Sequence, residues 1–425
     1  MYLKRHVDTL LQKYIENFPV ILIEGAKAVG KTSTCENIAK TSYYLDEPLH
    51  YEVLSSIPDI LQKDIPPILI DEWQKLPSIW EYSRRAVDRG LSAGFLLLTG
   101  SSPKINANIH SGAGRIVRLK MRPFTIEERQ ISDVYIRISD FLDVRITDNI
   151  SERTNKGLVD YLDEIFRSGL PGIRDKSEYA RKGFLKSYVD NLAEKEFIEN
   201  GFSIKKPDSL HSWLKAYASA IASVTNFQTI LDASMRNSLE SPSRKTADNY
   251  KDILVTLNVI EELPAWLGYG KLFPALAKAS KHFLLDPALV APLLGMTKSK
   301  ILKGDVPHPI GKMNKTFLGQ LFESLIYQSL ITYAEINGAR LSHLRMKNGR
   351  REIDFIIEKE ENNQLIAIEV KSASSISDKD VEHLNWFEEI AKKEYKTTKV
   401  VLYMGSFAFT RKDQVHVIPA SMLGV

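Results

Sequence analysis

Val20-Ile21-Leu22-Ile23-Glu24-Gly25-Ala26-Lys27-Ala28-Val29-Gly30-Lys31-Thr32 is the stretch that decides the fold. An apolar run feeds a G-x-x-x-x-G-K-[ST] loop from Gly25 to Thr32, and a helical pattern opens directly behind it, so both flanks a phosphate loop requires are present. The glycines let successive backbone N–H groups turn toward phosphate oxygens, Lys31 has the reach of the β- and γ-phosphates, and the Thr32 hydroxyl suits Mg²⁺. The spacing therefore predicts that Gly25, Ala26, Lys27, Ala28, Val29, Gly30, Lys31 and Thr32 hold ATP, with Mg²⁺ on Thr32.

Working outward, short apolar runs at 67–70 and 94–98 alternate with helical patterns at 31–40 and 78–90, the signature of buried parallel strands joined by crossover helices. Ile68-Leu69-Ile70 ends in Asp71-Glu72: Asp71 is placed to hold Mg²⁺ and Glu72 to orient or deprotonate the attacking water. Two solvated acids closing a strand are also common, and it is the loop upstream that favours the nucleotide reading. The run 95–98 ends in Thr99-Gly100-Ser101-Ser102, where Thr99 and Ser101 are candidates to sense the γ-phosphate, a plain turn being the alternative. Arg115, behind Ser111-Gly112-Ala113-Gly114, is a candidate arginine finger, in cis or in trans, with a solvated or structural arginine as the equal alternative.

These residues resemble the AAA-type ATPases of bacteria and archaea that carry a winged-helix region and a restriction-endonuclease-like C-terminal domain; the shared marks are 25–32, 68–73, 98–102, 113–115 and Arg122-Pro123-Phe124. The resemblance implies an α/β fold with a P-loop AAA-type ATPase core, a helical lid, a winged-helix region and an α/β tail. Shifts in composition and pattern along the chain set its divisions at 1–125, 126–200, 201–305 and 306–425, which the resemblance makes the ATPase core, a helical lid or connector, a winged-helix-like domain and a nuclease-like domain.

Within 201–305, a helix starting near Ser243 repeats Tyr250, Ile253, Leu254 and Leu257 at three and four. Arg244, Lys245, Thr246 and Asn249 at its start, with Lys271, Lys278 and Lys281 beyond, are candidates for DNA contact; a packing or protein-binding role for the same helix stays open. In the tail an amphipathic helix is expected at 315–334, then strands at 352–358, 364–371 and 399–403. Residues two apart in a strand share a face, so Glu369 and Lys371 project together, and a neighbouring strand can bring Asp354 beside them. Two carboxylates and a lysine suit a divalent cation and phosphodiester cleavage, with Glu323 as an additional ligand. The pattern resembles the PD-(D/E)xK nuclease fold, with Ile353 in place of the leading proline, and implies catalytic Asp354, Glu369 and Lys371 around Mg²⁺ or Mn²⁺, or a tail that only binds.

Composition sets the outer bounds. At 425 residues the chain exceeds one ordinary core, and 44% hydrophobic with 26% charged residues describes a globular protein. Fifty-seven basic against fifty-three acidic residues leave a net charge of +4, too mild to imply a nucleic-acid partner. The single Cys35 excludes an internal disulfide and suits a reducing cytoplasm. No apolar run approaches the roughly 18 to 20 residues of a membrane span, and the amino end does not read as a secretion signal. Nine histidines show no zinc spacing. The expected partners are DNA or another nucleic acid, a protein to be remodelled, and a second copy of the chain, with no membrane.

Overall fold

The computed structural model describes residues 2–100, 114–132, 134–143, 145, 150–199, 207–236, 242–268, 277–307, 310, 316–346 and 349–425. Strands with continuous runs of Val, Ile and Leu, as at 20–23, 68–70 and 96–98, need cover on both faces. β1 (Val20–Glu24), β2 (Thr41–Tyr44), β3 (Ile68–Asp71), β4 (Leu96–Gly100) and β5 (Ile116–Lys120) form a parallel sheet in the order β2-β3-β4-β1-β5. Val20, Leu22, Ile68, Ile70, Leu96 and Leu98 pack on one face with Trp73, Ile79 and Trp80. Ile21, Ile23, Leu69 and Leu97 pack on the other, with Val7 and Leu11 of the helix His6–Asn17. Because β4 lies between β1 and β3, their carboxyl ends are one strand apart, which is where the phosphate loop and Asp71 emerge.

After the short β6 (Ile136–Arg137) and β7 (Ser151–Arg153) the chain is helical. Three helices, Pro207–Ser219, Phe227–Arg236 and Arg244–Thr256, precede an antiparallel hairpin of β8 (Ile260–Leu263) and β9 (Lys281–Leu284). The Ser243 hydroxyl caps the last of these helices at the Thr246 N–H. In the tail, β10 (Arg340–Arg345), β11 (Glu352–Lys359), β12 (Gln364–Lys371), β13 (Lys396–Tyr403), β14 (Phe407–Thr410) and β15 (Val415–Pro419) join a second sheet ordered β10-β11-β12-β13-β15-β14-β7. The helix Asp378–Ala391 lays Val381, Leu384 and Phe387 on one face of it, against Ile356, Leu365, Ala367 and Val401. The helix Phe317–Ile336 covers the other face, against Phe355, Ile357, Ile366 and Ile368.

That second helix differs from the expected amphipathic one. It begins at Phe317, capped by the Thr316 hydroxyl, and is buried on almost every side, polar residues included. Several of these polar groups meet a distant segment. Gln320 donates to the Ile221 carbonyl at 2.7 Å, Gln328 to the Leu285 carbonyl at 3.1 Å, and Ser329 accepts from the Ile126 N–H at 2.9 Å. A single apolar cluster consequently runs from Val7 to Leu423, joining the nucleotide domain, the helical segments, the hairpin and the tail. The tail also takes strands from elsewhere: β7 pairs with β14, and β16 (Leu423–Gly424) pairs with β6.

Arg122 closes the joint between the segments. Its Nε donates to Glu261 of β8 at 3.1 Å and its Nη1 to Glu335 at 2.6 Å, while Lys120 and the Tyr327 hydroxyl also reach Glu261, at 2.6 and 2.8 Å. Burial alone would raise the Glu261 carboxyl, but Arg122 and Lys120 outweigh it and hold it down at about 2, against an ordinary 4.5. A carboxyl depressed in the folded state stabilises the fold above its unfolded value, and this contribution is lost as pH falls from about 4.5 toward about 2. At 1.4 kcal/mol per pH unit it corresponds to about 3 kcal/mol. Glu261→Gln is therefore expected to lower the denaturation midpoint at pH 7 and to flatten the fall in stability between pH 5 and pH 3, both measured by urea unfolding.

Candidate nucleotide site and the acidic cluster of the tail

The loop is shaped by close approach. A Cβ on Gly25 would stand 2.2 Å from the Met121 carbonyl oxygen, so only glycine fits there. Gly30, at φ +100°, turns the chain into the helix Lys31–Glu36. Lys31 folds back over the loop and donates to the Gly25 and Ala26 carbonyls, both at 2.9 Å. Burial pushes its ammonium below the ordinary lysine range, against the pull of Glu72 and Asp71.

Asp71, at the end of β3, lies against two hydroxyls. Thr32 donates to both of its carboxylate oxygens at 3.1 Å, and Thr99 of β4 donates to Oδ1. A helix, the strand carrying Asp71 and the intervening β4 thus converge on one carboxylate. The hydroxyl and carboxylate oxygens of Thr32 and Asp71 are the hard donors that Mg²⁺ selects, so the residues fit a magnesium nucleotide. Glu72 follows in a left-handed conformation, φ +55°, and accepts from the Gln74 amide. Ser101 lies outside the described residues.

A cleft of about 1420 Å³ opens over this loop, lined by Lys27, Ala28, Gly30, Lys31, Thr32 and Glu72 from one side and by Tyr2, Arg167, Arg174 and Phe184 from the other. Several of its supports have no sequence motif. Arg5, buried, donates to the Val29 carbonyl of the loop at 3.1 Å, to the Arg122 carbonyl at 2.8 Å and to Glu128 at 3.0 Å. Lys27 pairs with Glu196 at 2.5 Å, in a single π-helical turn, Leu192–Glu196, between two α-helices. Burial opposes the Lys27 charge, yet Glu196 and Glu199 hold its ammonium above the usual range. Pairs more than a hundred residues apart leave no local pattern by which the sequence could reveal them.

Arg115 does not reach its own loop. β5 runs parallel to β1 with Val20 opposite Ile116, which sets Arg115 at the amino end of the sheet, while the phosphate loop leaves the carboxyl end. The separation is the length of β1, roughly 16 Å at 3.3 Å per residue. There Arg115 pairs with Asp88 at 2.6 Å. A finger acting in cis is excluded by this placement.

In the tail the expected strand partners meet. Lys371 pairs with Glu369 at 2.8 Å, and beyond the last ladder pair, Phe355 with Ile368, the Asp354 carboxylate accepts the Val370 N–H at 2.9 Å. Glu323 also arrives, fully buried, from the helix Phe317–Ile336. Between Glu323 and Asp354, however, stands Lys281, a residue expected to touch DNA phosphate and found without exposure. Its charge is felt locally: burial first and then the Lys281 ammonium push His343 down to about 3. Among the described residues, no group of three or more His, Cys, Asp or Glu side chains is arranged to hold a metal ion. Glu323, Asp354 and Glu369 therefore do not form the expected metal cluster, since the first two are turned onto an ammonium and the third onto Lys371.

Of the surface expected to meet DNA, Arg244, Lys245 and Asn249 are exposed, as is Lys278, and Thr246 is half-buried beside its cap. Lys271 lies outside the described residues.

The parallel sheet, the glycine-shaped loop and the acid-ended neighbouring strand define a P-loop nucleotide domain. The AAA domain family matches residues 17–130, and the chain carries an AAA-type ATPase domain there. Two families described as domains of unknown function match further on, DUF8612 at 158–300 and DUF4143 at 318–423. Two curated relatives, uncharacterized proteins of Mycobacterium bovis and Mycobacterium tuberculosis, are each 22% identical over 302 residues, 69% of this chain. The chain spans 60% of the length of these relatives. A solved structure, the Walker-type ATPase of Pyrococcus abyssi, is 15% identical and aligns over 69% of this chain and 96% of its own, with a TM-score of 0.40. Among the described residues, no helix is long and apolar enough to cross a membrane.

Two substitutions separate the roles within the loop. Lys31→Ala is expected to leave the fold intact and to lower ATP turnover by at least about a hundredfold, because it removes the ammonium that a bound phosphoryl group would draw from the loop carbonyls. Gly25→Ala, whose methyl meets the Met121 carbonyl, is expected to lose ATP binding and also to lower the melting temperature. Phosphate release and thermal unfolding of the two variants check both outcomes.

Proposed function

We propose that the chain is an ATP-binding and ATP-hydrolysing switch whose nucleotide state is passed to a winged-helix-like segment and a nuclease-like tail. The observation that carries this reading is the meeting of Thr32, Asp71 and Thr99 beside the phosphate loop. The loop amides would receive the phosphates, and Lys31 would exchange its two carbonyl partners for phosphate oxygens. Thr32 and Asp71 would hold Mg²⁺, which supplies charge neutralisation on the phosphates. Glu72 would orient the attacking water and accept its proton, and Thr99, with Ser101, would register whether the γ-phosphate is present. Arg115 lies at the far end of the sheet, so acting as a finger it would serve the site of a second copy, and a homo-oligomer is part of this reading. The buried Cys35 suits a reducing cytoplasm.

Ion pairs between the segments support a coupling. Lys27 binds the loop to the helical segment through Glu196, and Arg122 ties the end of the nucleotide domain to the hairpin and the tail helix through Glu261 and Glu335. Three helices followed by a two-stranded hairpin have the order of a winged helix, and Arg244, Lys245 and Asn249 at an exposed helix start are suited to DNA. The tail keeps the D…E-x-K arrangement of Asp354, Glu369 and Lys371 on adjoining strands, which supports the nuclease-like reading of its fold. A second reading, ATP-driven remodelling of a protein partner with a catalytically inactive tail, is favoured by Lys281, whose ammonium engages two of the carboxylates a metal would need.

Steady-state phosphate release with and without duplex DNA tests the first reading. Turnover is expected to rise with DNA, the effect fading as salt is raised because phosphate contacts release counterions. A response flat to DNA at every salt concentration favours the protein-remodelling reading.

A further inference from the structure

Lys281 is a fully buried lysine whose ammonium is surrounded by carboxylates of the tail. It lies 2.7 Å from Glu323, 3.4 Å from the Asp354 carboxylate, 3.3 Å from the Asp354 carbonyl and 3.6 Å from Glu352. Lys281 itself belongs to the middle segment. A buried ammonium is costly unless its partners are well placed, and two buried carboxylates are costly without a cation. Here each removes the penalty of the other.

The delivery is rigid. Just after β8 and just before β9 the chain pairs with β10, with the Trp266 N–H on the His343 carbonyl at 2.6 Å, the His343 N–H on the Pro264 carbonyl at 3.1 Å and the Ala277 N–H on the Arg345 carbonyl at 2.8 Å. Two residues beyond Lys281, Phe283 stacks on Tyr327 with centroids 3.8 Å apart. Lys281 is thus pinned over the acidic residues by backbone pairing on one side and an aromatic stack on the other.

We propose that Lys281 is the resident cation of the tail's acidic site, standing where the carboxylates of a D…E-x-K site would gather a divalent ion. The donor set does not otherwise fit Mg²⁺ or Mn²⁺. A hard dication takes several oxygens at once at about 2.1 Å, whereas here one Asp354 oxygen accepts the Val370 N–H and Glu369 is paired with Lys371. While β9 is docked the site takes an amine, and phosphodiester cleavage through a metal at Asp354 is closed off. The inference rests on the nuclease-like reading of the tail.

The test is Mn²⁺ binding to the nucleotide-free full chain, read by the electron paramagnetic resonance signal of free Mn²⁺, with ATP binding measured on the same samples. The wild type is expected to show no Mn²⁺ site that depends on Asp354. Lys281→Met is expected to gain one site, about tenfold or more tighter than anything in the wild type, lost again when Asp354→Asn or Glu323→Gln is added. A wild-type site weakened by Asp354→Asn would overturn the inference alone, since the ion would then coexist with or displace the ammonium. A folded Lys281→Met variant that gains no site would overturn the inference together with the nuclease-like reading, while retained ATP binding would leave the nucleotide site standing. Should Lys281→Met fail to fold, the comparison of wild type with Asp354→Asn still decides.

Discussion

The carboxylate of Asp71 is the point on which the nucleotide site depends. It closes a strand that is wholly buried, accepts hydroxyls from the helix behind the phosphate loop and from the strand between, and so fixes the distance between the two halves of the site. The strand order makes this possible: with β4 inserted between β1 and β3, Thr99 arrives between the loop and the acid without any long-range adjustment. A buried carboxylate surrounded by donors is stable only while those donors stay in place, and the same oxygens are the ones a hard cation selects.

Elsewhere the segments meet through buried opposite charges in an apolar surround. Arg122 with Glu261, Arg174 with Glu164 and Lys281 with Glu323 each join residues that local structure would not bring together or that carry a turn of the chain, and the exposed Lys27 adds a pair with the buried Glu196. Removing one member of a buried pair leaves the other desolvated, at about 3–5 kcal/mol. The helix Phe317–Ile336 completes the arrangement by offering amides and hydroxyls to three segments from a single buried rod.

Much of this was legible in the sequence where chemistry and local pattern coincide. The loop 25–32, the acid-ended strand at 68–71 and the shared face of Glu369 and Lys371 follow from spacing alone. Thr-Ser-Tyr-Tyr at β2 gave no apolar run because it lies at a sheet edge and needs no cover on both faces. Ser-Glu-Arg at β7, fully exposed, acquires strand geometry only by pairing with β14, more than two hundred residues away. Lys281 reads as a surface lysine in any composition-based view, and only tertiary structure shows it inside. Arg5 and Glu128 are hidden for the same reason. The helix at 317–336 reads as amphipathic when its polar residues are given to water, whereas Gln320, Gln328 and Ser329 bond to other parts of the chain.

The most direct measurement of the central claim is calorimetric titration of the intact chain with ATP, with and without Mg²⁺, alongside the Asp71→Asn variant. The account predicts that Mg²⁺ tightens ATP binding in the wild type and that this gain disappears in Asp71→Asn, while nucleotide binding without the metal changes little. Equal affinity with and without Mg²⁺ in the wild type, or a full magnesium effect in the variant, would contradict it.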